Sequence, residues 1–129
     1  MIRPAIARAL AVPALLLAVP LAAQDAAPAS APPQLSLEQR MLLRCSAAFA
    51  LVANRQLSGE EWALAYPPLA EQGREFFVRA TARLADETGV EPPALAPVLR
   101  AEAESLLDRP LLQQVMPVCL TLLPPVPQG

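Results

Sequence analysis

Apolar residues recur at intervals of three and four along most of the chain after residue 36. This spacing is that of one face of an α-helix. The first run follows the tetrapeptide Ser36-Leu37-Glu38-Gln39, a capping box with a hydroxyl at the N-cap and a Gln three residues later. We therefore predict a first long helix that starts at Ser36, with an apolar face of Met41, Cys45, Ala48, Phe49 and Val52.

Prolines and glycines divide the following residues into two shorter units. A second capping box at residues 58–61 is predicted to open a short helical turn that carries Trp62 and Tyr66 and ends at Pro67. Pro68 suits the first turn of the next helix, which is expected to run to about Glu87 and to stop at Gly89. The predicted inner face of that helix is Gly73, Phe77, Ala80 and Leu84, and the predicted charge pairs on its outer side are Glu75 with Arg79 and Arg83 with Glu87.

Two more helices are predicted before the chain ends. Pro92 and Pro93 open one of them, and the other starts near Pro110 and is kinked at Pro117. The apolar residues expected to face inward are Leu95, Leu99, Ala103 and Leu106 in the former and Leu112, Val115, Cys119 and Leu122 in the latter. No alternating run of β-branched residues occurs in the sequence, so the predicted fold class is all-α, a small bundle of four to five helices.

The N-terminus has the three parts of a secretory signal. Arg3 and Arg8 precede an apolar stretch at residues 9–23, and small residues end that stretch. We predict a signal peptide over 1–23, because the stretch is shorter than a membrane span and is interrupted by Pro13 and Pro20. The expected product is exported to the bacterial periplasm with no membrane span, as an Ala- and Pro-rich tether (24–35), a helical domain (36–123) and a Pro-rich tail (124–129).

Cys45 and Cys119 are the two cysteines of the chain. In an oxidising compartment an isolated pair is most simply a disulfide. A redox-active pair usually has the Cys-x-x-Cys spacing, and a metal site would need further ligands in a chain that has no His. We therefore predict a structural disulfide that joins the first and last long helices.

Charge and composition exclude several functions. Without Arg3 and Arg8 the chain has eight arginines against 12 acidic residues, which disfavours nucleic acid or anionic lipid as the main partner. The four glycines form no phosphate-binding loop, and the absent His removes the commonest general base. No catalytic residue, metal ligand or cofactor is therefore predicted.

Residues 74–79 (REFFVR) and 85–92 (ADETGVEP) resemble secreted chorismate mutases of the all-helical kind. Those enzymes are small, exported and disulfide-bearing, so the resemblance implies the same fold class and a dicarboxylate held by basic side chains. This chain has no Lys, and no inward position matches the catalytic Gln or Glu of that family. Because of these differences, a small periplasmic enzyme of the chorismate mutase type is the alternative hypothesis, and a protein without catalytic activity is preferred.

The preferred hypothesis is a non-catalytic binding or protective protein of the cell envelope. Acid-stress chaperones, inhibitors and immunity proteins share its outline of a small helical domain with one disulfide. Its partner would be another envelope protein or a second copy of the chain. The candidate partner face consists of aromatic residues and the apolar end of the last helix, namely Trp62, Tyr66, Phe76, Val118, Leu120 and Leu123. The alternative is that these side chains fill the core.

Overall fold

The computed structural model describes residues 31–125. That part of the chain is all-helical, which confirms the predicted fold class. Its five helices are α1 (Leu37–Leu57), α2 (Glu61–Leu64), α3 (Ala70–Thr88), α4 (Pro92–Ser105) and α5 (Arg109–Leu120). The predicted signal peptide, tether residues 24–30 and tail residues 126–129 lie outside the described residues.

Helix α1 is the centre of the bundle. It begins with the predicted capping box, in which Ser36 Oγ accepts from the Gln39 N–H and Gln39 Oε1 accepts from the Ser36 N–H. It contacts each of the other four helices, and Leu43, Phe49 and Val52 are fully buried within it. Burial of this wide apolar face against several neighbours is the main source of the fold's stability.

The second predicted capping box is wrong. Ser58 is the C-cap of α1, and both its N–H and its hydroxyl donate to the Asn54 carbonyl. Gly59 follows with a φ of 73°, the left-handed conformation that commonly ends a helix. The N-cap of α2 is therefore Glu60, whose side chain makes no capping bond.

Helix α3 starts at Ala70, later than predicted, because Gln56 of α1 holds the preceding segment in a non-helical form. The Gln56 amide donates to the carbonyls of Ala63, Tyr66 and Pro67, and its Oε1 accepts from the Leu69 N–H. The predicted end is confirmed, since α3 runs to Thr88 and Gly89 caps it with a φ of 69°.

The inner face of α3 differs from the prediction at one position. Phe76 is buried, with 6% of its surface exposed, whereas Phe77 is 36% exposed. The ring of Phe76 packs edge-on against Phe49 at a centroid distance of 5.2 Å. Between Gly73 and Ala80, steps of three and four residues pass equally well through either phenylalanine, so periodicity alone does not distinguish them.

Helix α5 brings Cys119 to Cys45. Asp108 caps its N-terminus by accepting from the Leu111 N–H, and both cysteines are fully buried. The predicted Cys45–Cys119 disulfide is confirmed, with the two Cα atoms 5.2 Å apart. Leu122 is 42% exposed rather than inward, because α5 ends at Leu120 and the helical spacing does not continue past that residue.

Ion pairs connect α1 to its neighbours. Arg44 donates to Glu102 of α4 at 2.7 Å, and Arg83 of α3 donates to Glu38 of α1 and to Glu87. The Arg83–Glu87 pair was predicted, but the predicted Glu75–Arg79 pair is not among the ion pairs that the described residues form. Both of its members are exposed, where pairing gains little over hydration.

The ion pair between Arg83 and Glu87 makes the free energy of unfolding depend on pH. Hydrogen bonds from Arg83 and from Gln39 lower the pKa of Glu87, so the folded state favours its charged form. The stabilisation by charged Glu87 is fully present above the ordinary glutamate pKa of about 4.3. It is lost as the pH falls through the lowered pKa of Glu87 in the folded state. We expect Glu87→Gln to be less stable than the native protein at pH 7 and equally stable near pH 2, as measured by urea unfolding. The contribution would be contradicted by a stability difference that stays constant between these pH values.

Candidate functional site

A groove of about 440 Å³ opens on the surface of the bundle above α1. Its floor is α1, one wall is the first half of α3 and the other wall is the second half of α4. These halves are the ends farthest from the turn that connects α3 to α4. The lining residues are Ser46, Ala47, Ala50, Leu51, Ala53, Leu69, Ala70, Gly73, Arg74, Phe77, Leu99 and Ala103.

Small residues create this groove. At Gly73, α3 comes so close to α1 that an added Cβ would lie 2.9 Å from the Cβ of Phe49. Five of the residues that line the groove are alanines, namely Ala47, Ala50, Ala53, Ala70 and Ala103, and Ala50 is exposed within it. Alanine side chains are too short to fill the space between the helices, so an apolar surface stays open to solvent.

Arg74 is the one charged residue among those that line the groove. It lies on the stripe of α3 formed by residues 70, 73, 74 and 77, all of which face the groove. It is exposed, and none of the ion pairs found in residues 31–125 includes it. Within residues 31–125 its guanidinium therefore forms no ion pair that a ligand would have to displace.

Ser46 is the other polar side chain of the lining, and it is buried. Its hydroxyl donates to the Leu42 carbonyl within α1 at 2.8 Å. The groove as a whole presents hydrocarbon with a single cation, an arrangement that suits binding of an apolar group.

The aromatic residues of the predicted partner face lie elsewhere. Trp62 and Tyr66 are partly buried in and after α2, with their rings edge-to-face at 6.5 Å. The Trp62 indole N–H donates to Glu60, which also accepts from Arg55. These contacts hold Trp62 beside a smaller, more polar cleft of about 270 Å³.

None of the other four predicted partner-face residues lines the cleft beside Trp62. Phe76 lies in the core, Leu120 and Leu123 are partly buried against the core, and Val118 is 54% exposed. Phe76 and Leu123 border a cleft of about 370 Å³ that also contains Arg79 and Arg83. None of the six residues lines the groove above α1.

Sequence reasoning did not identify the groove or Arg74. The available signal was the series of small residues at 46, 47, 50 and 53, which broadens the face of α1 beyond the stripe of large apolar side chains. A small apolar residue is equally compatible with close helix packing and with an open surface. Only the relative placement of α3 and α4 distinguishes these two outcomes.

Residues 31–125 contain no helix that is both long and apolar enough to cross a membrane. They also contain no group of three or more His, Cys, Asp or Glu side chains arranged to hold a metal ion. Comparison with known proteins finds no matching family model, no matching curated protein and no matching solved structure.

Proposed function

We propose that the protein is a non-catalytic binding protein of the periplasm and that the groove above α1 holds an apolar group of its ligand. The observation that carries this proposal is the groove of about 440 Å³ with its nearly uniform apolar lining. Sites for small organic molecules typically measure about 300–1,000 Å³ and combine apolar walls with few polar groups. The groove has both properties.

The polar residues of the groove favour binding over catalysis. A serine nucleophile needs a neighbouring base to take its proton. Ser46 instead donates that proton to a main-chain carbonyl, and the chain has no His. The Arg74 guanidinium has only N–H donors and no acceptor, so it suits recognition of an anion rather than abstraction of a proton.

Export is part of the proposal and rests on two features. One is the cationic start and apolar stretch at residues 9–23. The other is the buried disulfide, since such bonds persist mainly in oxidising compartments. Together they support a location outside the cytoplasm, where the groove would meet ligands of the cell envelope.

Binding can be tested with a neutral phenylnaphthylamine fluorophore, which brightens in apolar sites. We expect saturable binding by the native protein and loss of at least about 90% of it in Ala50→Phe. Position 50 is exposed in the groove, so the new ring fills the groove without entering the core. At fluorophore concentrations well below Kd this loss corresponds to a tenfold rise in Kd, or about 1.4 kcal/mol.

The matched control for that variant is Ala82→Phe, the same change at an exposed position of α3 outside the groove. It should bind the fluorophore as the native protein does. Equal binding by Ala50→Phe and the native protein would show that the groove is not the site and would refute the proposed function.

A further inference from the structure

The geometry points to a single-chain anionic amphiphile, a free carboxylate of the fatty-acid class, as the ligand of the groove. Its acyl chain would lie along the alanine-rich floor between α3 and α4, and its carboxylate would bind the Arg74 guanidinium. This inference rests on the proposed function and specifies the class of ligand.

The charge of the groove selects an anion. Arg44, Arg55 and Arg83 each form an ion pair with a carboxylate of this chain, whereas the other five arginines of residues 31–125, Arg74 among them, form none. Arg74 has no such partner among residues 31–125, although it lies on the stripe of α3 that faces the groove. A cation beside an apolar surface is complementary to a molecule that combines one negative charge with a hydrocarbon chain.

The chemistry of the guanidinium favours a carboxylate headgroup. Its N–H donors form a planar fork that matches the two oxygens of a carboxylate, and such bidentate pairs are stronger than neutral hydrogen bonds. An alcohol of the same chain length lacks the charge, and an alkylammonium ion carries the charge that Arg74 repels. Three ligands with one common chain therefore separate the contribution of the headgroup from that of the tail.

The size of the groove favours a small amphiphile over a protein. Stable protein interfaces bury about 1,200–2,000 Å² in total. The groove has a volume of about 440 Å³ and is lined by few residues, among them Arg74 and Phe77, which is 36% exposed. The surface of such a groove is too small to supply that interface area alone. The same volume lies within the range of small-molecule sites.

Displacement of the neutral fluorophore by dodecanoate, dodecanol and dodecyltrimethylammonium tests this inference, with each ligand kept below its micelle concentration. For the native protein we expect dodecanoate to bind at least about tenfold more tightly than the other two. In Arg74→Gln this preference should disappear while fluorophore binding persists. Arg74→Lys should restore part of it, because the charge returns without the planar fork.

Arg79→Gln is the matched control, because it makes the same change on the same helix outside the groove and should keep the full preference. Equal affinity of the native protein for all three ligands would overturn the inference and leave the proposed function standing. Dodecanoate binding that survives in Ala50→Phe would also overturn it, by placing the carboxylate site elsewhere. If the native protein binds no fluorophore, the proposed function itself fails.

A second copy of the chain is the other occupant that the experiment can detect. Light scattering across the titrated concentrations should show a monomer with and without dodecanoate. A dimer that dissociates as the fluorophore binds, and that Ala50→Phe abolishes, would assign the groove to self-association and overturn the inference.

Discussion

Reduction of the Cys45–Cys119 disulfide is expected to lower the free energy of unfolding by about 2–5 kcal/mol. The bond joins residues 74 positions apart, so it restricts the unfolded chain over nearly the whole helical domain. At about 4–8 °C per kcal/mol, the melting temperature should fall by about 8–40 °C. Helical content below the transition should persist, because the apolar faces of α1, α3 and α5 stay buried.

Thermal melting followed by circular dichroism, with and without reductant, measures this effect. The variant with Cys45→Ala and Cys119→Ala is the control, since its melting temperature should match that of the reduced protein and should not respond to reductant. A thiol assay on the oxidised, denatured protein should detect no free thiol in the described domain. Identical melting of the oxidised and reduced protein would contradict a stabilising role for the bond.

Truncation of Phe76 is expected to cost about 3–5 kcal/mol, the usual range for removing a buried phenylalanine ring. Phe76 is 6% exposed and packs edge-on against Phe49 in the centre of the bundle. Phe76→Ala would therefore leave a cavity between α1 and α3 and remove a favourable aromatic contact. Urea unfolding at pH 7 gives the difference in unfolding free energy directly.

The adjacent Phe77 is the matched control for that variant. It is 36% exposed at the border of the groove, so Phe77→Ala should cost only about 1–2 kcal/mol. The same variant should weaken fluorophore binding, whereas Phe76→Ala should affect binding only through stability. Equal costs for the two substitutions, or a greater cost for Phe77→Ala, would contradict the orientation of α3 in this structure.

Several local features of the fold were predictable because they depend on residues close together in the chain. The capping box at Ser36, the stop at Gly89 and the opening of α4 at Pro92 each follow from backbone chemistry within a few residues. The prediction of a second capping box was wrong because a local pattern cannot show where the preceding helix ends. Ser58 could either cap the start of α2 or cap the end of α1, and in the structure it caps the end of α1.

The disulfide was also predictable, although its two ends are far apart in sequence. Cys45 and Cys119 each lie on the apolar stripe of a helix, and in a small bundle such stripes face one core. The candidate site was not predictable in this way. The six residues proposed as a partner face were chosen for size and apolarity, properties that core residues such as Phe76 share.

The sequence by itself determined the helical class, several helix ends and the pairing of Cys45 with Cys119. Only the tertiary structure decided which phenylalanine of α3 is buried and that a groove opens above α1. The physical reason is that helical periodicity defines a stripe but not the rotation and spacing of neighbouring helices. Those depend on contacts such as Gly73 against Phe49, where the absence of one Cβ lets α3 approach α1. Arg74 follows Gly73 on the same stripe of α3 and lines the groove.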